Sequence, residues 1–217
     1  MGKIKLTQEE KDLIKKYKQY IIDGDWDGFS NSFSFSSSSD DDEFAHIFQF
    51  CLECVPDLLY KITYIPDSAF SNSDIKSITI PSNIKRIESG AFLKCTSLKS
   101  VSIPNSVIEI EDYAFAFCDR LKSIIIPNSV TEIGDCAFDS CTSLKSISIP
   151  NGVTKIGSFA FSDCYNLTHI NIPDSVTEIG WSSFECKNLK HISIPKHLKG
   201  KDFLQNLPKD CEIEVRS

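Results

Sequence analysis

A single phrase of 23 residues recurs through most of the chain, and this period constrains the fold more than any other feature. Five prolines are spaced 23 residues apart and a sixth follows after 22. They are Pro81, Pro104, Pro127, Pro150, Pro173 and Pro195. A repeat of this length, kept in register, predicts a solenoid, in which each unit buries its apolar face only against its neighbours.

Two further columns repeat in step with the prolines. The Phe column is Phe70, Phe92, Phe115, Phe138, Phe161 and Phe184, and the Cys column is Cys95, Cys118, Cys141, Cys164 and Cys186. The first unit is irregular, because Pro66 occupies the position that Gly134 holds in a later unit. The last unit is one residue shorter between its Phe and its Cys. Atypical terminal units are expected where a stack ends.

Each unit can be interpreted from its residue types. Its Leu-x-x-Ile-x-Ile segment has the two-residue alternation of a strand, and the following Pro, which cannot donate to a ladder, ends the pairing. Its Val-Thr-Glu-Ile segment predicts a second short strand, after which Gly permits a corner that leads into a tight Ala-Phe turn. Stacked coils would lie about 4.8 Å apart. The Phe, Cys, Leu and Ile columns would then form continuous internal ladders.

The repeated motif resembles the BspA-like, or Treponema-type, leucine-rich repeats over residues 62–195. Their pattern is close to Leu-x-x-Ile-x-Ile-Pro-x-x-Val-x-x-Ile-Gly-x-x-Ala-Phe-x-x-Cys. The resemblance implies a repeat solenoid of the leucine-rich-repeat kind, a right-handed β-solenoid or horseshoe with short parallel strands, tight turns and a concave sheet. The family includes surface proteins that bind host or extracellular partners. We therefore interpret residues 61–195 as six BspA-like leucine-rich repeats.

The ends of the chain differ from the repeats. Residues 1–60 carry 12 acidic and 6 basic side chains, against 18 and 17 in the remainder. Helical spacing of apolar residues predicts one helix over about residues 8–22 and a second from Asp40, separated by a Ser/Asp-rich loop at 30–42. We interpret residues 1–60 as an acidic, α-helical N-terminal cap, with an independent functional domain as the alternative.

The C-terminal residues 196–217 are interpreted as a second cap. Phe203, Leu204 and Leu207 supply apolar side chains, and residues 211–215 alternate polar and apolar in the manner of a strand. We expect this segment to cover the other end of the stack.

The outward positions of the Leu-x-x-Ile-x-Ile strands form the candidate partner-binding face. The first row is Lys76, Lys99, Lys122, Lys145, Thr168 and Lys190. The second is Ser77, Ser100, Ser123, Ser146, His169 and His191, and the third is Thr79, Ser102, Ile125, Ser148, Asn171 and Ser193. Stacked lysines repel each other, so an acidic partner would relieve that repulsion. The alternative is that these side chains only keep the sheet soluble.

Cysteine and histidine offer possible metal ligands, but structural explanations are favoured. His169 and His191 are predicted to lie side by side, yet two ligands do not complete a tetrahedral site. Cys51 and Cys54 form a CxxC without the second pair that zinc requires, and Cys51 fits the apolar stripe of its helix. The Cys column fits the packing of small buried thiols better than cross-linking between coils. We expect no metal and no cofactor.

Several classes of function are excluded or disfavoured. The repeat region is nearly neutral and the N-terminal region is acidic, which argues against nucleic-acid binding. No apolar run has the length of a signal peptide or a membrane span, so we expect a cytoplasmic protein with no membrane partner. No nucleophile with its base, phosphate-binding loop or unique carboxylate pair is evident, so we do not expect an enzyme.

The sequence therefore favours a non-enzymatic scaffold that binds a protein through its concave sheet, as an inhibitor or adaptor inside the cell. The alternative is a surface or secreted recognition protein of the adhesin kind. A small enzyme with a site in residues 1–60 is a third, disfavoured class. The oligomeric state and the identity of the partner do not follow from the sequence.

Overall fold

Short parallel strands from successive coils pair side by side through residues 63–217, the part of the chain that this computed structural model describes. The predicted N-terminal helices, their Ser/Asp-rich loop and the cap at residues 1–60 lie outside the described residues. The described strands are β1 (Tyr64–Ile65), β2 (Ser77–Thr79), β3 (Arg86–Ile87), β4 (Ser100–Ser102), β5 (Glu109–Ile110), β6 (Ser123–Ile125), β7 (Glu132–Ile133), β8 (Ser146–Ser148), β9 (Lys155–Ile156), β10 (His169–Asn171), β11 (Glu178–Ile179), β12 (His191–Ile194) and β13 (Glu212–Val215).

Each coil contributes one strand to each of two sides of the stack. The two-residue strands form one continuous parallel sheet in the order β1-β3-β5-β7-β9-β11. The three- and four-residue strands form parallel ladders that join β2 to β4, β6 to β8, and β10 to β12 and β13. Ser77 pairs with Ser100 and Ser123 pairs with Ser146, each one repeat later. The predicted solenoid of short parallel strands is confirmed.

The third side of the stack is built from turns, and these are also joined by backbone hydrogen bonds. The N–H groups of Gly90, Phe92 and Lys94 donate to carbonyl oxygens of the next coil, each at 2.8 Å. Later coils repeat the same three bonds. Gly90 and Lys94 have left-handed φ angles of 61° and 58°. The N–H groups of every second residue in the turn therefore point along the stack. The hydrogen bonds of the turn side are as regular as those between the strands.

The core lies between the three sides and is organised by the Phe column. Its six rings stack nearly parallel, with neighbouring centroids 4.9–5.6 Å apart and interplanar angles of 2–7°. All six side chains are at most 1% exposed. A coil without neighbours would expose both faces of its ring, and this explains why the units fold only as a stack.

The Cys column lies beside the Phe column and is bonded to it. The Sγ of Cys95 donates to the carbonyl oxygen of Phe70 at 2.8 Å, and that of Cys118 donates to Phe92 at 3.3 Å. The other three column cysteines make the same bond to the preceding coil. The seven described cysteines are all free thiols, as the packing interpretation requires. A thiol suits this position because it is small and apolar, yet donates to a buried carbonyl.

Glycine at the corners of the three later coils is explained by the close approach of adjacent coils, whereas Glu88 and Glu111 hold the equivalent position in earlier coils. A Cβ built on Gly157 would lie 2.5 Å from the backbone nitrogen of Asp135 in the preceding coil. Gly134 and Gly180 meet comparable obstacles. The sequence interpretation of Gly as a corner residue is thus correct, and close approach of the neighbouring backbone is the physical reason.

The C-terminal segment continues the stack. Two short 3₁₀ helices, Lys196–Leu198 and Asp202–Asn206, bury Leu198 and Phe203. The ring of Phe203 packs edge-on against Phe184 at 6.2 Å. β13 then pairs in parallel with β12. The boundaries at residues 60 and 195 remain predictions.

Candidate functional site

The candidate face is formed by the outward side chains of β2, β4, β6, β8, β10 and β12, and we call it the lysine face. In most of these strands the central residue points into the core and its two neighbours point outward. The structure brings all the predicted site residues onto this face and leaves all but His191 exposed. They are Lys76, Lys99, Ser100, Lys122, Ser123, Ile125, Lys145, Ser146, His169, Asn171, Lys190 and His191.

Lysines dominate the edge of the face where the strands begin. The N–H of Lys99 donates to the carbonyl oxygen of Lys76 at 2.8 Å, and that of Lys145 donates to Lys122 at 3.1 Å. Their backbones are therefore direct neighbours across the ladder. None of these four ammonium groups forms an ion pair with another described residue. The face thus presents an unneutralised positive row over its first coils.

Ile125 interrupts the polar third row. It is 81% exposed, although Ser102 and Ser148 hold the equivalent positions in the adjacent coils. A large aliphatic side chain at the centre of a charged face gives an apolar contact point that is surrounded by polar groups.

The face changes character at β10 and β12. The rings of His169 and His191 lie side by side with centroids 6.0 Å apart, as the sequence predicts. The Nε2 of His191 lies 3.7 Å from Oε2 of Glu214 on β13. These three side chains line a shallow depression of about 430 Å³ together with Ile147, Asn171 and Ser193.

Two residues of this region were missed by sequence reasoning. Glu214 faces the histidines, and Arg216 donates to the carboxylate of Asp174 at 2.9 Å and to the hydroxyl of Ser193 at 3.2 Å. Arg216 also donates to the side chain of Asn171. The available signal was the alternation of residues 211–215, which marks a further strand of the same sheet.

The predicted site residues therefore fall into two groups. Lys190 pairs with Asp210, His191 with Glu214, and Asn171 with an arginine, so these three already have partners within the chain. The lysines of β2 to β8 do not have such partners among the described residues. The positive charge without ion-pair partners among the described residues is therefore concentrated in the first group of coils.

Residues 63–217 contain no cluster of three or more His, Cys, Asp or Glu side chains arranged to hold a metal ion. The ring of His169 is bonded through Nδ1 to Thr168, at 2.9 Å, and His197 contacts the carbonyl oxygen of Val176 through Nε2, at 2.7 Å. These contacts are structural and involve neighbouring backbone or strand residues.

Membrane insertion is not indicated by the helices of residues 63–217. None of them has the length and hydropathy needed to cross a bilayer.

Three solved structures resemble this chain. A leucine-rich repeat protein from Bacteroides ovatus is 33% identical with a TM-score of 0.59, and the match covers 72% of this chain and 38% of that one. A T. pallidum leucine-rich repeat protein is 30% identical with a TM-score of 0.54, covering 64% of this chain and 73% of that one. A leucine-rich cell surface protein from Faecalibacterium prausnitzii is 27% identical with a TM-score of 0.54, covering 73% and 52%. This chain thus spans well under half of the B. ovatus protein.

No curated protein gives a significant match to the chain. The model of the BspA type leucine-rich repeat region, in contrast, matches residues 27–135 and 108–209 with 6 copies. These matches extend over most of the sequence, and from residue 63 onward they coincide with the coils described above. The chain therefore belongs to the BspA-type leucine-rich repeat family.

Proposed function

We propose that this protein is a non-enzymatic scaffold that binds an acidic segment of another protein on the lysine face. The single observation that carries the proposal is the row of Lys76, Lys99, Lys122 and Lys145, stacked in neighbouring coils without ion-pair partners among the described residues. Ammonium groups held at strand spacing repel each other. A ligand that carries carboxylates would remove that repulsion and gain charge-assisted hydrogen bonds.

The composition of the face supports a protein ligand. Ile125 offers an apolar anchor, while Ser100, Ser123 and Ser146 offer hydroxyl groups that both donate and accept. Interfaces between proteins combine such apolar contact points with a polar surround. An extended acidic segment lying across the ladder would reach all of these groups.

A reducing compartment such as the cytoplasm is part of this proposal. The seven described cysteines are free thiols, and five of them are buried. Proteins of oxidising compartments use cysteines as disulfides, whereas cytosolic proteins keep them reduced. The proposal would fail if the native protein were recovered from the medium with oxidised thiols.

A second candidate function is recognition at the cell surface, of the adhesin kind. The observation that favours it is the likeness to the F. prausnitzii protein, which is described as a cell surface protein. Fractionation of the source cells separates the two candidates, because the adhesin-like function requires the protein on the outer surface or in the medium.

A narrower form of the first candidate is an inhibitor or adaptor that also uses its acidic first 60 residues. The charge segregation of the sequence is its motivation. Deletion of residues 1–60 should then weaken capture of a partner with a basic surface, provided that the remaining stack is shown to be folded by circular dichroism. Full-strength capture by the folded, truncated chain would rule out this form.

Charge reversal tests the lysine face directly. The variant carries Lys99→Glu, Lys122→Glu and Lys145→Glu, and the matched control carries Lys187→Glu, Lys199→Glu and Lys209→Glu, which changes net charge equally at exposed positions elsewhere. A fluorescent oligoglutamate peptide and affinity capture from the source cell are the two probes. We expect the first variant alone to lose the peptide and its captured partners. Equal loss in both variants, or retention in both, would refute the proposed site.

A further inference from the structure

The turn side of the stack carries exposed aromatic side chains that the lysine face does not use. We define the turn face as the outward side chains of residues 111–118, 134–141, 157–164 and 180–186. On this face Tyr113 is 45% exposed, Phe117 39% and Trp181 58%. The ring of Phe159 packs edge-on against Trp181, with centroids 5.0 Å apart. The neighbouring thiol of Cys136, in the next coil, raises the pKa of Tyr113.

These aromatic residues occupy backbone positions that are unfavourable for them. Tyr113, Phe117 and Phe159 have left-handed φ angles of 57°, 59° and 56°. Side chains with a Cβ strain the backbone there, and Gly or Asn is preferred. The left-handed conformation recurs in every coil, where Gly90, Cys136 and Ser182 hold the position of Tyr113, and Asn72, Lys94 and Ser140 hold that of Phe117.

Burial does not compensate this cost, because the rings of Tyr113 and Phe117 remain about two-fifths exposed. The turn accepts small or polar residues at these positions in other coils, so its conformation does not require an aromatic ring. Exposed aromatic side chains that the turn does not require are candidates for contact with a partner.

The charge around the rings is mostly negative, with Lys94, which holds the position of Phe117 in the preceding coil, as an exception. The four turn segments contain six carboxylates and no Lys or Arg. They are Glu111, Asp112, Asp135, Asp139, Asp163 and Glu185. Burial and the neighbouring charge of Asp163 raise the pKa of Asp139 above its ordinary value. The carboxylate of Asp163 likewise raises the pKa of Tyr165, on the same side of the stack.

Rings combined with negative charge favour cations. The face of an aromatic ring attracts an ammonium or guanidinium group, and nearby carboxylates strengthen that attraction. The row from Tyr113 to Trp181 crosses four coils, or about 14 Å. That distance corresponds to roughly four residues of an extended chain. A single small cation would leave most of the row unoccupied.

We propose that the turn face is a second binding surface, and that it takes a cationic polypeptide segment whose Arg or Lys side chains lie on the rings of Tyr113, Phe117 and Trp181. The two faces then select ligands of opposite charge. One chain would bridge an acidic and a basic partner, because the lysine face and the turn face are separate sides of the same rigid stack.

The ligand class is tested on the full chain through its own fluorescence. The sequence contains two tryptophans, so a Trp26→Phe variant leaves Trp181 as the only reporter. An arginine-rich peptide should change its emission saturably, whereas the same peptide with citrulline in place of every arginine should not. An unchanged emission with the arginine peptide, or an equal response to both peptides, would overturn the proposal.

The positions are tested with variants that the fold already contains. Tyr113→Gly copies Gly90 and Phe117→Asn copies Asn72, so both relieve backbone strain and are expected to fold at least as well as the parent chain. Each should weaken binding of a labelled arginine-rich peptide about fivefold, as expected for loss of one cation–π contact. Ile108→Thr, which removes a 41% exposed apolar side chain that lies on neither face and copies Thr131 in the next coil, is the matched control and should leave that affinity unchanged.

Two results would overturn this assignment. The first is wild-type affinity in both turn-face variants. The second is self-association of the parent chain in sedimentation velocity that disappears in Tyr113→Gly and Phe117→Asn, since the occupant would then be a second copy and not a cationic partner.

Discussion

The Sγ of Cys118 donates to the carbonyl oxygen of Phe92, one coil earlier, across 3.3 Å. The same carbonyl oxygen also accepts the N–H of Cys95 at 3.2 Å. Each thiol of the Cys column thus donates a hydrogen bond to the preceding coil, at a buried turn from which water is excluded. This links the two most conspicuous columns of the sequence, since the Phe supplies both the stacked ring and the acceptor that the next Cys needs.

Replacement of a cysteine in the middle of the Cys column should therefore lower the free energy of unfolding by more than the small size of the side chain suggests. Cys141→Ala removes a donor to the carbonyl oxygen of Phe115, which it contacts at 3.2 Å, and leaves a void of one sulfur atom. We expect a loss of about 2 kcal/mol in the free energy of unfolding, measured by urea denaturation. Cys211→Ala, at a partly exposed position, is the control and should cost under about 0.5 kcal/mol. Equal losses in the two variants would contradict a bonding role for the column.

The buried thiols also predict an alkaline limit to stability. Burial raises the pKa of Cys95 from 9.0 to about 11 and that of Cys141 from 9.0 to about 12. Above about pH 9 the unfolded chain loses these protons while the folded chain keeps them, so folding stability falls as the pH rises. The stability that is linked to these protonated thiols is fully present below about pH 9, and it is lost progressively as the pH rises toward their folded pKa values.

The double variant Cys95→Ala, Cys141→Ala isolates this effect. Between about pH 9 and about pH 11, the free energy of unfolding of the parent should fall more steeply than that of the variant by roughly 2.7 kcal/mol per pH unit. Below this window the difference between the two chains should be constant. Parallel curves over the whole range, measured by urea denaturation at each pH, would show that these thiols already ionise in the folded state.

The corner glycines give a prediction about backbone approach. Gly157→Ala places a Cβ 2.5 Å from the backbone nitrogen of Asp135, which cannot move without disturbing the next coil. We expect a loss of about 2–3 kcal/mol in thermal or urea unfolding. Gly200→Ala has no atom within 4 Å of the new Cβ but retains a φ of 77°, so it should cost only about 1 kcal/mol. A smaller loss at Gly157 than at Gly200 would show that adjacent coils can separate.

The core could be predicted from the sequence because its residues obey a period. Phe138 and Cys141 recur at fixed positions, and a side chain that repeats in every coil can only belong to an internal ladder or to an exposed row. The alternation within each strand then separates the two, so Ser123 faces outward and Ile124 inward. The internal ladders and the exposed rows can both be predicted because the backbone geometry is nearly the same in each coil.

The turn face and the C-terminal contacts could not be predicted in the same way. Left-handed backbone is usually signalled by Gly or Asn, and Tyr113 and Phe117 give the opposite signal. The bonds of Arg216 to Asn171 and Asp174 join residues far apart in the sequence and occur once, so no repetition marks them. Contacts that occur once depend on how the C-terminal residues pack against the last coils. A periodic sequence pattern carries no information about that packing.

The lysine row predicts a conflict between stability and binding. Lys122 is the backbone neighbour of Lys145, and Lys99 holds the equivalent position in the preceding coil. Opposite charges at neighbouring strand positions stabilise a sheet, whereas like charges destabilise it. Lys122→Glu should therefore raise the free energy of unfolding by about 0.5–1 kcal/mol and yet weaken binding of an oligoglutamate peptide. Lys187→Glu, an exposed lysine outside the lysine face, should change neither quantity appreciably. A row that serves solubility alone would show the gain in stability without the loss of affinity, so the two measurements on one variant separate a binding face from a merely solvated one.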